Sequence, residues 1–178
     1  MNKLSLITLL CLSIVIMGCS NKDEEIANDV ARHATSAKTY KQQGQLKAAM
    51  LEARNIIQLK PDDAQGYILL ASIYNDLGVS AAVYKLLEPK LESLPEVSTE
   101  LAQAYLNGQK YRSALNVIAQ HPAGHSDDRR RQLKIASLSS VYLGEKDEAD
   151  KYLSELKNID ASDADVAVVE ATAELSQG

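Results

Sequence analysis

The stretch YNDLGVSAAVYKLLEPKLE, residues 74–92, decides the fold because related stretches recur along the chain. The related stretches are YKQQGQLKAAMLEARNIIQLKPDD (40–63), YLNGQKYRSALNVIAQ (105–120) and YLGEKDEADKYLSELKNIDAS (142–162). Each copy contains one glycine, and the intervals between successive glycines are 34, 30 and 36: Gly44, Gly78, Gly108 and Gly144. A sustained period of about 34 residues predicts a solenoid, in which each unit buries its apolar face against the next.

An amphipathic stretch lies on each side of these glycines. Before Gly78, apolar residues at i, i+3, i+4 and i+7 share one helix face: Tyr67, Leu70, Ala71 and Tyr74. We expect each glycine to end a helix in the left-handed conformation, where a side chain would cost about 1–2 kcal/mol. Residues that allow close approach of two helices follow the glycines: Ala49, Val83, Ala114 and Ala149. The sequence therefore predicts an all-α chain of antiparallel helix pairs.

Prolines mark where regular helices should stop. Pro61 closes the first unit, since proline cannot continue a helix that runs into it. Pro89 lies inside the expected second helix of the second unit and should kink or end it near Glu88. The third unit ends in HPAGHSDD (121–128), which predicts a loop. The repeat should therefore be less regular between residues 88 and 128.

The predicted units are residues 30–63, 64–94, 95–128 and 130–163, with a partial fifth unit, one unpaired helix, at 164–178. Gly178 stands where the fifth turn glycine is expected if the spacing continues beyond Gly144. Either the last helix is a cap, which needs a polar outer face, or the chain is a fragment that lacks the following helix. The segment 166–178 carries only two charges, Glu170 and Glu174, so we favour truncation.

The amino terminus has the pattern of an export signal. Lys3 precedes the uncharged run LSLITLLCLSIVIM, which is shorter than the roughly 20 apolar residues of a spanning helix and predicts a secretory signal. The following IMGCS (16–20) resembles the bacterial lipobox, in which the cysteine is lipidated and the chain is cut before it. The alternative is an ordinary signal with a chance cysteine. The predicted segments are a signal peptide (1–18), a tether lipidated at Cys19 (19–25) and a repeat domain (26–178).

Lipidation would attach the mature chain to a membrane without spanning it, and more than one acyl chain gives lasting anchorage. In lipoproteins of this kind, an aspartate after the cysteine would indicate retention at the inner membrane, and Ser20 occupies that position. We therefore expect a lipid anchor in the outer membrane of a bacterial cell envelope, on the periplasmic side.

The composition of the mature chain excludes several classes of function. Loss of residues 1–18 removes one lysine and leaves 18 basic and 24 acidic side chains, a formal charge of −6. This balance leaves no broad basic face, so we expect no nucleic acid partner. Cys11 would leave with the signal and Cys19 would carry lipid, so no disulfide is predicted.

Two short motifs could carry chemistry. His121 and His125 would suggest a metal site if they shared a helix, but Pro122 and Gly124 interrupt any helix there, so we predict loop histidines and no metal. The motif DDRRRQLK (127–134) predicts a solvated helix face, or alternatively a docking patch for an acidic or phospholipid partner.

The sequence contains no arrangement that indicates catalysis. Neither a Ser-His-Asp order, a phosphate-binding glycine loop nor a cysteine-rich metal cluster is present. We therefore predict that the protein is not an enzyme and takes no cofactor and no small-molecule substrate.

The stretch 30–87 resembles the opening repeats of bacterial tetratricopeptide (TPR) lipoproteins, particularly those that accompany PEP-CTERM/exosortase and exopolysaccharide systems. This resemblance implies a right-handed superhelix whose front helices line a concave groove for an extended or helical segment of another protein. Members of that subfamily look much longer than this chain. The family's chaperone-tail clamp is disfavoured, because other residues stand at its expected positions: Ala34, Leu69, Glu100 and Ile135.

The resemblance also places a set of residues on the groove. They are Lys38, Lys41, Gln65, Ile68, Ser72, Asn75, Gln103, Asn107, Lys134 and Leu138. The implied groove is basic at one end, carries amides and a hydroxyl in the middle and becomes apolar further on, which favours a protein ligand over a sugar. Three functions fit this interpretation: an adaptor in exopolysaccharide export or PEP-CTERM protein sorting, a type IV pilus or secretin assembly lipoprotein, and a non-catalytic subunit of a cell-wall enzyme.

Overall fold

The computed structural model describes the backbone of residues 3–124 and 126–177 and the side chains of residues 22–124 and 127–176. Within these ranges the chain is all-helical and contains no strand. The α-helices are α1 (Lys3–Gln42), α2 (Leu46–Leu59), α3 (Ala64–Asp76), α4 (Ser80–Leu87), α5 (Ser98–Asn107), α6 (Tyr111–Gln120), α7 (Ser126–Tyr142), α8 (Lys146–Ile159) and α9 (Ala164–Gln177). Two short 3₁₀ helices, Glu88–Lys90 and Pro95–Val97, lie between α4 and α5.

The same turn joins the helices of each pair. Gly44, Gly78 and Gly144 have φ angles of +72°, +68° and +73°, the left-handed conformation that the repeat predicts. The amide that follows each of these glycines donates to a carbonyl five residues back, for example Gln45 N to Tyr40 O at 2.8 Å. This bond satisfies a carbonyl that would otherwise be unpaired at the helix end.

The prediction that Gly108 is the third turn glycine is wrong. Its φ is −86°, and the left-handed residue is Gln109, with φ of +58°. The bond that defines the turn runs from Lys110 N to Tyr105 O at 2.8 Å, one residue later than the glycine alignment implies. A Cβ atom at position 108 would lie 2.1 Å from the hydroxyl of Tyr84 and would displace that side chain, so the glycine here serves a close contact and not the turn.

Neighbouring helices pack in pairs, and alternate helices also touch: α1 contacts α3, α3 contacts α5, α5 contacts α7 and α7 contacts α9. The residues after each turn are buried where the two helices of a pair meet: Ala49, Val83, Ala114 and Ala149. Three apolar clusters follow one another along the chain, around Ile56, Leu101 and Leu156. The core is therefore a series of interfaces between consecutive helices.

Prolines mark where α2 and α4 end, and an aspartate marks where α3 begins. Helix α2 ends at Leu59, before Pro61, and α4 ends at Leu87, as Pro89 predicts. The Asp63 side chain caps α3 by accepting from Gln65 N at 2.8 Å. Buried Tyr67 donates its hydroxyl to the Pro61 carbonyl at 3.0 Å, which fastens α3 to the preceding turn.

Two predicted boundaries differ from the observed helices. Helix α7 begins at Ser126, so the third unit ends before residue 126 and not at 128; the two aspartates that follow belong to the first turn of α7. Helix α1 is continuous from Lys3, across the predicted signal peptide and tether.

Three predictions lie outside the described residues. The side chain of Cys19, all of His125 and the fifth turn residue Gly178 are among the parts that the structure does not describe. The division of the chain at Cys19 therefore stays a prediction. In the part of the chain that the structure does describe, none of the helices combines the length and apolar character needed to cross a membrane.

Candidate binding groove

Helices α3, α5 and α7 and the turn after α5 line two adjoining pockets, which we call the groove. Gln103 and Asn107 of α5 line both pockets, so the pockets lie side by side. The first pocket, of about 250 Å³, is completed by Ser72, Asn75, Asp76, Glu100 and Arg131. The second pocket, of about 500 Å³, is completed by Leu106, Gln109, Tyr111, Lys134, Leu138 and Tyr142.

Six of the ten residues predicted for the groove line these pockets: Ser72, Asn75, Gln103, Asn107, Lys134 and Leu138. Lys41 lies at the edge of the first pocket, where its ammonium group contacts Ser72 Oγ at 2.5 Å and Asp76 at 2.9 Å. The other three predicted residues line neither pocket. Ile68 packs against the core, Gln65 lies exposed in the first turn of α3, and Lys38 is exposed on α1.

A buried carboxylate lies at the floor of the first pocket. The Glu100 side chain is only 4% exposed, and Arg131 Nη2 lies 2.6 Å from its Oε1. Asn75 Nδ2 donates to Glu100 Oε2 at 2.8 Å and to the Glu100 carbonyl at 3.0 Å. Burial disfavours the charged form of Arg131, but the facing carboxylates of Glu100 and Asp128 outweigh burial and raise the pKa of Arg131. The cluster ties α3, α5 and α7 together and fixes the width of the groove.

The three arginines of the predicted patch are engaged within the protein. Arg129 pairs with Glu155 of α8 at 2.7 Å, and Arg130 pairs with Asp163, before α9, at 2.5 Å. The N–H of Asp165 and the Arg130 guanidinium hold the pKa of Asp163 below its usual range. Together with the Arg131–Glu100 pair, these pairs connect α7 to α5, to α8 and to the turn before α9, so the motif is neither a freely solvated face nor an open docking patch.

The groove is close to electrically neutral. Lys41 is paired with Asp76, and Lys134 is paired with Asp165 at 2.7 Å, so the basic end that the sequence predicts is neutralised. Gln103 Nε2 donates to Asn107 Oδ1 at 2.8 Å, which orients the two carboxamides that both pockets share. The groups that face outward are therefore mainly uncharged donors and acceptors.

The metal prediction concerns His121 and His125, of which only His121 is among the residues for which side chains are described. No group of three or more His, Cys, Asp or Glu side chains there could hold a metal ion. His121 lies in the loop after α6, and its carbonyl accepts from Ser98 Oγ at 3.2 Å and from the fully buried Gln132 at 3.1 Å. This segment therefore fastens the loop to α5 and α7.

No family model, curated protein or solved structure matches this chain. The described residues form an all-helical protein. Its neighbouring helices pack in pairs, and its alternate helices line a neutral groove.

Proposed function

We propose that the protein is a membrane-anchored adaptor of TPR-like, right-handed α-solenoid architecture, and that it binds a segment of another protein in the groove. The single observation that carries this proposal is that two pockets lie side by side across α3, α5 and α7 and share Gln103 and Asn107. Adjoining pockets that extend across three helices suit a linear ligand better than a compact one.

The arrangement of helices supports the repeat architecture. Four turns share the bond from the amide after the left-handed residue to a carbonyl five residues earlier. Contacts between alternate helices join each predicted unit to the next, as stacking of repeated hairpins requires. With Gln109 in place of Gly108, the intervals between left-handed residues are 34, 31 and 35, a more even spacing than the glycines have.

The chemistry of the groove supports a protein ligand. A peptide main chain presents one donor and one acceptor at nearly every residue, and carboxamide side chains supply both kinds of partner. Because the charged side chains of the groove are paired internally, neither a polyanion nor a strongly basic segment gains a free counter-charge. We infer a binding role without catalysis, in an envelope assembly of the kind that exports exopolysaccharide or sorts PEP-CTERM proteins.

Replacing Asn107 by arginine should remove partner binding, because the exposed Asn107 lines both pockets and a longer charged side chain would obstruct them. The matched control is Asn116→Arg, a change at an exposed asparagine on α6, outside the groove. The full chain would be cross-linked in the envelope of the bacterium that encodes it, and cross-linked proteins would be quantified by mass spectrometry. We expect Asn107→Arg to reduce a partner signal at least tenfold, or by about 1.4 kcal/mol. Equal signals from the two variants would contradict a role for the groove.

Replacing Cys19 by serine should release the protein from membranes. A hydroxyl cannot form the thioether that the lipid anchor requires, and without acyl chains the mature chain has no lasting attachment. Fractionation of cells followed by a carbonate wash checks this, with Cys11→Ser as the control, since Cys11 belongs to the predicted signal peptide. Tight membrane association of the Cys19→Ser protein would refute lipid anchorage.

A further inference from the structure

A pair of stacked tyrosines forms one wall of the second pocket. Tyr111, at the start of α6, and Tyr142, at the end of α7, have ring centroids 4.9 Å apart and an interplanar angle of 19°. Tyr142 is 53% exposed, and an exposed aromatic pair that lines a pocket offers apolar contact area to a ligand. Both side chains line the pocket, so the pair contributes aromatic surface to it.

The other stacked pair in the described region has a different role. Tyr84 and Tyr105 also stack at 4.9 Å, but Tyr84 donates its hydroxyl to the Ala104 carbonyl at 3.0 Å and Tyr105 contacts Glu88 at 2.7 Å. Burial and the Glu88 carboxylate raise the pKa of Tyr105. Lys110 lies over the Tyr84 ring at 4.2 Å. Contacts within the protein hold Tyr84 and Tyr105 in place, whereas about half of Tyr142 is exposed.

The remainder of the second pocket combines an apolar floor with uncharged hydrogen-bonding groups. Leu138 is 8% exposed and Leu106 is partly buried, so both form the floor. Gln109 offers its carboxamide N–H groups, Gln103 keeps one N–H beyond the one that it donates to Asn107, and Lys134 is occupied by Asp165. The pocket therefore offers apolar surface together with neutral donors.

We propose that this pocket binds a proline-rich segment in the polyproline II conformation, and that this segment belongs to the partner held in the groove; the inference thus rests on the proposed function. A polyproline II helix has no internal hydrogen bonds, so its carbonyls are free acceptors. Proline lacks an N–H group and carries an apolar ring. Such a ligand needs donors and flat apolar surface, and aromatic-lined grooves bind proline-rich segments in this way.

The conformation of the ligand adds to this argument. Polyproline II is already extended before it binds, so less conformational entropy is lost than with a flexible segment. A ligand that rises about 3.1 Å per residue can follow the groove from the tyrosine pair toward the first pocket. Neutral prolines also require no counter-charge, in agreement with the paired charges of the groove.

The test is a titration of the full chain, in detergent, with a ten-residue polyproline peptide. The chain contains no tryptophan, so no tryptophan emission masks its eight tyrosines; the difference between the wild-type and Tyr142→Ala fluorescence signals reports on the site, and calorimetry gives the affinity. We expect polyproline to bind at least tenfold more tightly than a Gly-Ser peptide of the same length. Tyr142→Ala should weaken binding at least tenfold, whereas Tyr142→Phe, which keeps the ring, should change it less than threefold. Circular dichroism and thermal melting verify that both variants fold.

Each of the following outcomes would overturn the inference of proline recognition. Equal affinity for the two peptides, or polyproline binding that Tyr142→Ala leaves unchanged, would exclude proline recognition at this wall. Binding of neutral trisaccharides of glucose, galactose or N-acetylglucosamine that needs Tyr142, without polyproline binding, would reassign the pocket to carbohydrate. If polyproline fails to bind while Asn107→Arg still abolishes partner cross-linking, the adaptor proposal stands and only the inference about proline falls.

Discussion

Replacing Arg131 by methionine should lower the free energy of unfolding by about 2–3 kcal/mol. The methionine fills much of the same space but leaves the carboxylate of Glu100, whose side chain is 4% exposed, without its cationic partner. Removing one member of a fully buried pair costs roughly 3–5 kcal/mol. We expect a smaller loss, because Arg131 itself is 37% exposed and Asn75 still donates to Glu100 at 2.8 Å. Urea unfolding followed by circular dichroism measures the change.

The same helix supplies a matched control. Arg129 pairs with Glu155 at 2.7 Å, but their side chains are 32% and 40% exposed, and pairs of this kind contribute about 0–1 kcal/mol. Arg129→Met should therefore have a small effect. Adding Glu100→Gln to Arg131→Met should recover part of the lost stability, since it removes the unpaired charge. If Arg131→Met costs no more than Arg129→Met, the ion pair does not hold the groove together.

Much of the fold was predictable because the signals are local. Each repeat contains its own left-handed turn residue, a small residue after that turn and an apolar stripe on each side. The turns at Gly44, Gly78 and Gly144 could therefore be predicted from the sequence. The third turn differs because its glycine serves a contact between units. Gly108 satisfies a contact with Tyr84, which belongs to the preceding unit, and a glycine kept for a contact looks the same in the sequence as one kept for a turn.

The groove was predicted only in part, for the same reason. Asn75, Gln103 and Asn107 follow from their positions on the front helices. In the sequence, Arg131 is one member of a run of charges. It belongs to the groove because it pairs with Glu100, which lies in the preceding unit. The available signal was Glu100 itself, a single charge between apolar Val97 and Leu101; in the structure the first five residues of that helix are all buried.

The tyrosine wall was also not predicted. In the sequence, Tyr142 is the first residue of a repeat copy, and its stacking partner Tyr111 belongs to a different unit. Pairs of this kind depend on how two helices are placed relative to each other, and a repeat pattern read along one chain does not contain that distance.

Replacing Gly66 by alanine should lower the free energy of unfolding by about 2 kcal/mol. Gly66 lies in the first turn of α3, and a Cβ atom there would be 2.8 Å from Ile57 Cγ1 and 2.9 Å from Ile57 N. The Ile57 side chain could rotate away from the added methyl group, but the Ile57 backbone nitrogen can move only if α2 moves. Overpacking of this kind costs about 1–3 kcal/mol, and the upper end applies because backbone is involved. Alanine regains up to about 1 kcal/mol of helix propensity, which is too little to compensate.

Gly124→Ala is the matched control, because a Cβ atom at Gly124 would have nothing within 4 Å and the residue does not have a left-handed φ. We expect that change to stay within about 0.5 kcal/mol. For a chain of this size the Gly66→Ala loss corresponds to a melting temperature lower by about 4–8 °C, which a thermal scan followed by circular dichroism would detect. Because α3 carries Ser72 and Asn75, separation of α3 from α2 should also weaken partner binding through the groove. A neutral or stabilising Gly66→Ala change would show that α2 and α3 do not approach as closely as described.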